Sequence, residues 1–380
     1  MIRHDETLLS MAIALRPGIG RITFRRLTER FGRASAILAA TDAELLAVEE
    51  VDRRTLAALK GPLPLDEAGA ELARAARAGV RVLALSDPDY PVLLKNIFDP
   101  PAALYVKGSW PKGPEAVPPA VALVGAREAT PYGLRVTRAL ARELASAGLT
   151  VVSGLALGVD AAAHEGALEA LGRTVAVLGN GLGSVYPPSN RRLAERILAA
   201  GGALVSELPM ALEARPEHFP ARNRIVSGLS RAVVVVEAAA KSGALITADS
   251  ALEQGRDVFA VPGNIDSRLS EGTNGLLRQG AKPALRAADI LEELGIETSP
   301  APVPAAPAGL DPEGRRIWEA LSGGAPARHV DELIERTGLA PARAAAALTR
   351  LEIKGLVRRR PGPSFEPVQT APPARGGFAR

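Results

Sequence analysis

Glycines, small polar residues and two cations follow a series of short apolar segments in the middle of the chain. They are Gly125 and Arg127, Ser153 and Gly154, Asn180, then Lys241, Ser242 and Gly243, and finally Asn264. Glycine lets a backbone N–H group approach a ligand closely, and a helix that begins after such a turn adds partial positive charge. A single glycine turn is ordinary in an α/β protein. Because this series also contains Arg127 and Lys241, it predicts an edge that binds phosphate.

A second group of polar residues lies in the segment 219–224, which reads Phe-Pro-Ala-Arg-Asn-Arg. It places Arg222, Asn223 and Arg224 at the predicted start of a helix, beyond a strand that covers 203–206. Arginine and amide side chains pair well with phosphates and with the edges of nucleobases. We favour this interpretation over a capped helix whose arginines are solvated.

The turn at 179–184 offers an alternative, which is a site for a dinucleotide cofactor. The turn reads Gly-Asn-Gly-Leu-Gly-Ser after a strand, and Glu207 ends the next strand, where an acid that binds ribose would lie. Two features count against this alternative. The last glycine falls one position early, and Pro187 and Pro188 stop a helix from starting where a pyrophosphate needs its N-terminus.

Other catalytic motifs are absent from the sequence. It contains neither the Gly-x-x-x-x-Gly-Lys-Ser/Thr loop of P-loop enzymes nor a Gly-x-Ser-x-Gly elbow. His164 is predicted to be a partly buried structural residue, and Asp160 is predicted to cap a helix. His218 could face the phosphate-binding edge, but it has no evident nucleophile to serve.

The elements that position these residues alternate regularly along the chain. Short apolar runs cover 80–85 and 103–106. Strands are then predicted at 120–124, 149–152, 174–178, 203–206, 232–236 and 257–261, and helices at 131–147, 160–171, 189–200, 221–229 and 244–254. Strands such as 232–236 are apolar on both faces, as in a parallel sheet that helices cover on both sides. The pattern predicts an α/β domain over residues 79–297 with a doubly wound, mostly parallel sheet.

Helices are predicted on either side of this domain. Residues 1–78 read as an all-α domain similar to SAM or helix-hairpin-helix domains, in which Pro17–Gly20 resembles a first hairpin. A second hairpin near 48–52 would carry acids that repel DNA. Residues 298–310 are expected to form a stiff Pro/Ala linker, and residues 361–380 a disordered tail.

Residues 311–360 fit a winged helix, with three helices and a short strand. Its candidate recognition helix, 341–353, carries Arg343 and Arg350, but alanine is its most frequent residue and fills 344–347. Alanine offers no hydrogen bond to a base edge, and a reading helix presents several such side chains. We therefore expect this module to bind DNA weakly and without sequence preference.

Composition excludes several classes of protein. The 380 residues include no cysteine and four histidines, so disulfides and thiolate metal sites are excluded and no metal or cofactor is expected. The net charge is +4, and this surplus lies in residues 299–380, because the charges of residues 1–119 (+1) and 120–298 (−1) cancel. Any anion site in the middle of the chain must therefore be local. Neither a signal peptide nor a bilayer-spanning apolar run is present, so we expect a soluble cytoplasmic protein.

Several of these segments together resemble the DNA-processing protein A family, known as DprA or Smf. The matching segments are 87–91, 99–101, 124–133, 153–160, 176–181, 186–190, 219–230, 241–248, 254–256 and 261–263. They occur in the family's order over residues 80–290. The flanking helices fit the members that consist of three parts, with an N-terminal helical domain, an extended Rossmann core and a C-terminal winged helix.

The resemblance implies a protein that binds single-stranded DNA on its extended Rossmann domain and is not an enzyme. Such proteins shield the DNA, help to load the RecA recombinase during natural transformation, and form homodimers through the same domain. The family's phosphate-binding arginine falls on Arg127 and its lysine on Lys241, whereas Leu157 stands where many members carry a basic residue. An alternative remains, a nucleotide-processing enzyme such as a LOG-type phosphoribohydrolase. Ile265 after Asn264 departs from the glycine-rich string of that family.

Overall fold

The computed structural model describes residues 2–113, 119–296, 307, 309–321, 328–360 and 362–367. The chain divides into two compact units, residues 1–296 and residues 297–380, and each is described by itself. Within the described ranges, no helix is long and apolar enough to cross a bilayer.

The first unit begins with six helices. They are α1 (Ile2–Ala14), α2 (Arg21–Phe31), α3 (Ala34–Ala39), α4 (Asp42–Leu46), α5 (Arg53–Lys60) and α6 (Leu65–Arg77). The turn between α1 and α2 contains Gly18 with φ of 93°, a conformation that glycine adopts easily. The turn between α4 and α5 places Glu50 at φ of 65°, and Asp52 caps α5 by accepting a hydrogen bond from the backbone N–H of Thr55.

Nine strands and eight helices follow in the same unit. They are β1 (Val80–Ala84), α7 (Val92–Lys95), β2 (Ala103–Gly108), β3 (Ala120–Val124), α8 (Pro131–Ser146), β4 (Thr150–Ser153), α9 (Val159–Glu169), β5 (Thr174–Val177), α10 (Arg191–Ala199), β6 (Ala203–Ser206), α11 (His218–Gly228), β7 (Ala232–Val235), α12 (Gly243–Glu253), β8 (Asp257–Ala260), α13 (Glu271–Arg278), β9 (Lys282–Pro283) and α14 (Ala287–Glu293). The predicted alternation is confirmed, with small shifts at the ends of the elements.

The strands form one sheet in the order β1-β2-β6-β5-β4-β3-β7-β8-β9. β2 pairs antiparallel with β1 and β6, and all other neighbours are parallel. Every residue of β3, β4, β5, β6 and β7 is buried, because helices cover both faces. The predicted fold class, a doubly wound and mostly parallel α/β sheet, is confirmed.

The N-terminal helices pack directly on this sheet. Phe24 and Leu27 of α2 belong to the same buried cluster as Leu83 of β1, Leu104 of β2 and Ile225 of α11. Burial of such side chains stabilises each by about 1.5–3 kcal/mol, so the helices and the sheet stabilise each other. The proposed domain boundary after residue 78 stays a prediction.

The second unit is the predicted winged helix. It contains α15 (Pro312–Leu321), β10 (Arg328–His329), α16 (Val330–Thr337), α17 (Pro341–Ile353), β11 (Val357–Arg360) and β12 (Ser364–Pro367), with the strand order β10-β12-β11. The predicted disorder of the tail is wrong for Ser364–Pro367, because these residues pair with β11. The rest of that tail after 367 and most of the predicted linker lie outside the described residues.

Candidate nucleic-acid interface

A pocket lies where the order of the strands reverses. β4, β5 and β6 lie on one side of β3, and β7 and β8 lie on the other. Doubly wound sheets bind ligands at such a point, beyond the carboxyl ends of the strands. The pocket has a cavity of about 450 Å³. Seven of the residues predicted from sequence line it: Gly125, Arg127, Gly154, Arg222, Asn223, Ser242 and Gly243.

Arg127 lies at the mouth of this pocket and is exposed. Its guanidinium carbon lies 5.2 Å from the ring centroid of Phe219, and that ring lies 5.6 Å from the ring of Tyr186. Arg127 has no acidic partner within 4 Å among the described residues. A cation held over an aromatic face keeps its orientation and remains able to bind an anion.

Arg222 forms the floor of the pocket and is only 5% exposed. Its Nη1 donates to the carbonyl oxygen of Gly154 at 2.8 Å and to that of Val177, and its Nε donates to Asn223 at 3.3 Å. Burial lowers the pKa of Arg222 to about 10, while the nearby carboxylate of Asp160 opposes this shift. The remaining nitrogen, Nη2, forms no hydrogen bond with the described residues, so it is available to a ligand.

Asp160 holds the loop after β4 in place. Its Oδ2 accepts hydrogen bonds from the backbone N–H groups of Gly154 at 3.1 Å and of Ala156 at 3.3 Å. Burial raises the pKa of this carboxyl, and the charge of Arg222 counteracts part of that effect. Asp160 lies in the first turn of α9, but its carboxylate bonds to this loop, so the predicted helix cap is wrong.

Glycine is required at three positions around the pocket. A Cβ on Gly125 would lie 2.7 Å from Val159, and one on Gly154 would lie 2.6 Å from the guanidinium carbon of Arg222. Gly158 adopts φ of 73° directly before α9. Larger residues would therefore push the loops after β3 and β4 apart.

The start of α12 forms the opposite wall. Ser242 caps the helix by accepting from the backbone N–H of Ala244, and Asn223 donates to the carbonyl oxygen of Gly243 at 3.1 Å. The first N–H groups of a helix carry partial positive charge and bind anions. Lys241 directly precedes this wall in the chain and does not itself line the pocket. It is exposed and forms no hydrogen bond or ion pair with other described residues.

Four residues predicted for the interface lie elsewhere. Ser153 is fully buried and donates to the carbonyl oxygen of Leu123 at 2.7 Å. Asn180 is 1% exposed, and its amide bonds to the carbonyl oxygens of Gly181 and Ser184. Arg224 is 8% exposed and points away from the pocket. Asn264 is exposed but does not line the pocket. We therefore leave these four residues out of the interface.

Arg224 instead belongs to a group of four charges, which we call the charge cluster. Arg224 contacts Asp99 and Glu207, each at 2.7 Å, and Arg21 at the start of α2 reaches the same two carboxylates at 3.5 and 3.3 Å. The charge cluster joins the N-terminal helices to α11, the helix that carries Phe219. Burial of the Arg224 guanidinium is possible because two carboxylates, those of Asp99 and Glu207, lie beside it and compensate its charge.

The same cluster removes the basis for a dinucleotide site. Glu207, predicted as an acid that could bind ribose, is occupied by two arginines. The glycines of the turn 179–184 make close packing contacts, since a Cβ on Gly179 would lie 2.8 Å from Phe219 and one on Gly183 would lie 2.5 Å from the carbonyl oxygen of Met210. These glycines serve packing, and the turn does not line the pocket.

Neither histidine of this unit that was considered from sequence lines the pocket. His164 is fully buried, and its Nδ1 lies 2.7 Å from the hydroxyl of Thr174. Burial lowers the pKa of His164 to about 3, which keeps it neutral. His218 is half-buried at the start of α11. Among the residues that the structure describes, no group of three or more acidic or histidine side chains could hold a metal ion.

Two aromatic residues of the interface were missed from sequence. Tyr186 and Phe219 are far apart in the chain, and both line the pocket. With Arg127, Leu157 and Pro187 they also line a smaller recess beside it. Aromatic residues make up only 3% of the chain, so composition gives no indication of base stacking. In the sequence, Tyr186 precedes two prolines and Phe219 precedes one. Because proline restricts the backbone, these neighbours were the one indication that both rings are held in fixed positions.

In the winged-helix unit, the arginines of α17 are already bound. Glu313 of α15 forms ion pairs with Arg343 and Arg350, and Arg350 also contacts Asp311 at 3.0 Å. Lys354 donates to the carbonyl oxygen of Gly309 at 3.0 Å. The basic face that was predicted on this helix is therefore largely neutralised within the unit.

Comparison with known proteins gives the same assignment for both units. The family model described as DNA recombination-mediator protein A matches residues 81–295, and the DprA winged helix domain matches residues 300–363. Protein Smf of Synechocystis is 38% identical over 314 residues, which cover 74% of this chain and 78% of that protein. The DNA processing protein DprA of Bacillus subtilis is 43% identical over 219 residues, which cover 57% of this chain and 72% of that protein.

Two solved structures are similar to this chain. DNA processing protein A from Streptococcus pneumoniae has a TM-score of 0.60 and 32% identity, and the match covers 77% of this chain and 99% of that one. The Helicobacter pylori protein, described for its single-stranded DNA binding mode, has a TM-score of 0.50 and 32% identity over 57% of this chain and 95% of that one. Together with the pocket at the sheet edge and the winged helix, these matches show that the chain belongs to the DprA/Smf family of DNA-processing proteins.

Proposed function

We propose that this protein binds single-stranded DNA in the pocket after β3, β4 and β7. The observation that carries the proposal is a set of three cations in or directly beside the pocket, none of which forms an ion pair within 4 Å with a described residue. Arg127 is exposed over Phe219, Arg222 keeps one nitrogen free at the floor, and Lys241 stands before the start of α12. Such donors bind phosphates without reading sequence.

The aromatic pair adds a reason to expect single strands. Tyr186 is 45% exposed beside Phe219, and Arg127 covers the other ring. Base stacking on an aromatic ring requires unpaired bases and contributes about 1–3 kcal/mol per base. In a duplex the bases are already stacked, so this contribution is lost. The name of the Helicobacter pylori structure supports the same preference.

The family description supports a wider role. We infer that the bound strand is protected and passed to the RecA recombinase, as during natural transformation, and that the protein works in the cytoplasm as a homodimer. We also infer that it has no catalytic activity, because the pocket contains no nucleophile beside a general base among its described residues.

Affinity for matched oligonucleotides tests the binding proposal. Fluorescence anisotropy at one fixed salt concentration should show tighter binding of a single-stranded oligomer than of the duplex with the same sequence. Equal or tighter binding of the duplex by the full chain would overturn the proposal. Incubation with nucleoside monophosphates or NAD, followed by chromatography, should show no product. Added RecA should form filaments on the protected strand faster when the protein is present.

A further inference from the structure

Helix α10 begins beside the wall of the pocket that carries Tyr186. Asn190, directly before this helix, is 9% exposed and donates from Nδ2 to the carbonyl oxygens of Leu155 at 2.9 Å and Ala156 at 3.1 Å. The next residue of that loop, Leu157, lines the smaller recess together with Tyr186. The start of α10 is therefore tied to the edge of the proposed binding site.

Three arginines occupy the solvent side of this helix. Arg191, Arg192 and Arg196 are exposed, and none of them forms a hydrogen bond or an ion pair with another described residue. The opposite side of the helix is buried through Leu193 and Ile197. Arg192 and Arg196 are separated by four residues, so their side chains lie on the same face, one turn apart.

This arrangement is unfavourable for the helix alone. Like charges four residues apart repel each other, and the first turn of a helix favours acidic residues over basic ones. α10 has no acidic residue in its first turn, and Glu195 makes no ion pair within 4 Å. A polyanion that lies along this face would neutralise the arginines and so remove the repulsion between them.

We propose that single-stranded DNA leaves the pocket past Tyr186 and continues along α10, where Arg191, Arg192 and Arg196 bind its phosphates. This inference rests on the proposed function and extends its site. On this side of the pocket the loop after β4 presents Leu157, which is 47% exposed and uncharged. The α10 arginines would supply the positive charge that this loop lacks. The α10 arginines contact only DNA that is long enough to extend beyond the pocket.

Substitution Arg192→Glu tests the proposal. Glutamate here would favour folding, because it lies in the first turn and precedes Arg196 by four residues. The melting temperature should therefore stay equal to that of the unsubstituted protein or rise. Affinity for a single-stranded oligomer of about 30 nucleotides should fall about tenfold, while affinity for one of about 6 nucleotides, which the pocket alone can hold, should change less than about twofold.

Arg54→Glu is the matched control. Arg54 is also exposed, also forms no ion pair with other described residues, and is also the second residue of its helix, α5. The substitution changes the net charge of the protein by the same amount. It should leave the affinity for both oligomers unchanged, because the acids of the neighbouring turn, Glu49 and Glu50, disfavour DNA there.

The outcomes separate the inference from the proposed function. A long-oligomer loss that is specific to Arg192→Glu supports the path along α10. Equal losses in Arg192→Glu and Arg54→Glu would indicate a general charge effect, and equal losses on long and short oligomers would place Arg192 inside the pocket site. No loss at all would exclude the contact. Each of the last three results would overturn the inference but leave the proposed function standing, because the unsubstituted protein still binds. Failure of the unsubstituted protein to bind any single strand would overturn the proposed function and this inference with it.

Discussion

The cations around the pocket and the arginines of α17 differ in what they already bind. Arg127 and Lys241 are exposed and have no acidic partner within 4 Å among the described residues. Arg343 and Arg350 are also exposed, but both are paired with Glu313 of the same unit. In sequence only the second region is basic: residues 299–380 contain 12 basic and 8 acidic side chains, whereas residues 120–298, which form the pocket, contain 18 and 19.

The difference shows that a count of arginines does not locate an anion site. A phosphate that approaches α17 must compete with the carboxylate of Glu313, which also repels it. An exposed ion pair is worth only about 0–1 kcal/mol, so this competition weakens binding without abolishing it. At the pocket, Arg127 and Lys241 have no acidic partner within 4 Å, and the carboxylate of Asp160 is bound by the backbone N–H groups of Gly154 and Ala156. The start of α12 adds partial positive charge that belongs to the backbone.

The largest expected effect follows from removing the free cations. The double substitution Arg127→Ala with Lys241→Ala should weaken single-strand binding about 100-fold at low salt and reduce the slope of log K against log salt by about 1.4, or 0.7 for each phosphate contact. Anisotropy titrations at several salt concentrations measure both quantities.

The matched control removes two arginines from α17. Arg343→Ala with Arg350→Ala should change the affinity less than about twofold, since these groups are already paired. If both double variants lose affinity equally, the distinction between free and paired cations is wrong.

A smaller effect is expected from Arg222→Lys, which keeps the positive charge but replaces the planar guanidinium group and its several N–H donors by a single ammonium group. Lysine cannot donate to the carbonyl oxygens of Gly154 and Val177 and also reach into the pocket. We expect affinity to fall about tenfold and the free energy of unfolding to fall by about 1–3 kcal/mol.

Arg224→Lys serves as the comparison for that variant. It lies on the same helix and should lose stability through the charge cluster, yet keep its affinity within about twofold, because Arg224 does not line the pocket. Chemical denaturation separates the two effects. An affinity loss in Arg224→Lys as large as in Arg222→Lys would show that the position of α11, and not the free nitrogen of Arg222, determines binding.

The smallest effect should appear when Arg343 of α17 is released from Glu313 and Arg350 keeps only its contact with Asp311. Glu313→Gln in the Arg127→Ala and Lys241→Ala background should increase DNA binding by about two- to fivefold at low salt, in line with the strength of an exposed ion pair. The gain should disappear near physiological salt because exposed charges are screened there. Absence of any gain at low salt would mean that pairing with Glu313 does not limit this helix.

Much of the fold was predictable because its signals are local. Apolar segments such as 232–236 specify buried parallel strands, and the glycines after them mark the edge where ligands bind. Such a turn predicted Arg127 at this edge, and Arg127 lines the pocket there. The helix α11 was predicted to begin at residue 221, but it begins at His218, so its first turn also contains Phe219 and Pro220.

The errors in the site concern the direction of neighbouring side chains. Arg222 and Arg224 are two residues apart on α11, so they point to different sides of the helix, and only the packing of α11 decides which side faces the pocket. Ser153 and Gly154 are adjacent, but Ser153 is still part of β4 and its hydroxyl points into the sheet. The contact between Tyr186 and Phe219 depends on the loop after β5 meeting the start of α11, which no local pattern encodes.

The charge cluster has a consequence for how deletion experiments on this family member should be interpreted. With Arg21 present, two guanidinium groups face two carboxylates. A truncated protein that lacks the N-terminal helices keeps Asp99, Glu207 and Arg224. One negative charge is then left without a partner beside α11, the helix that carries Phe219 and Arg222. Weaker DNA binding by such a truncation would therefore not identify the missing helices as a DNA-contacting surface. Arg21→Ala in the full chain reproduces this charge imbalance while retaining the helices, and it is the reference against which the truncation has to be compared.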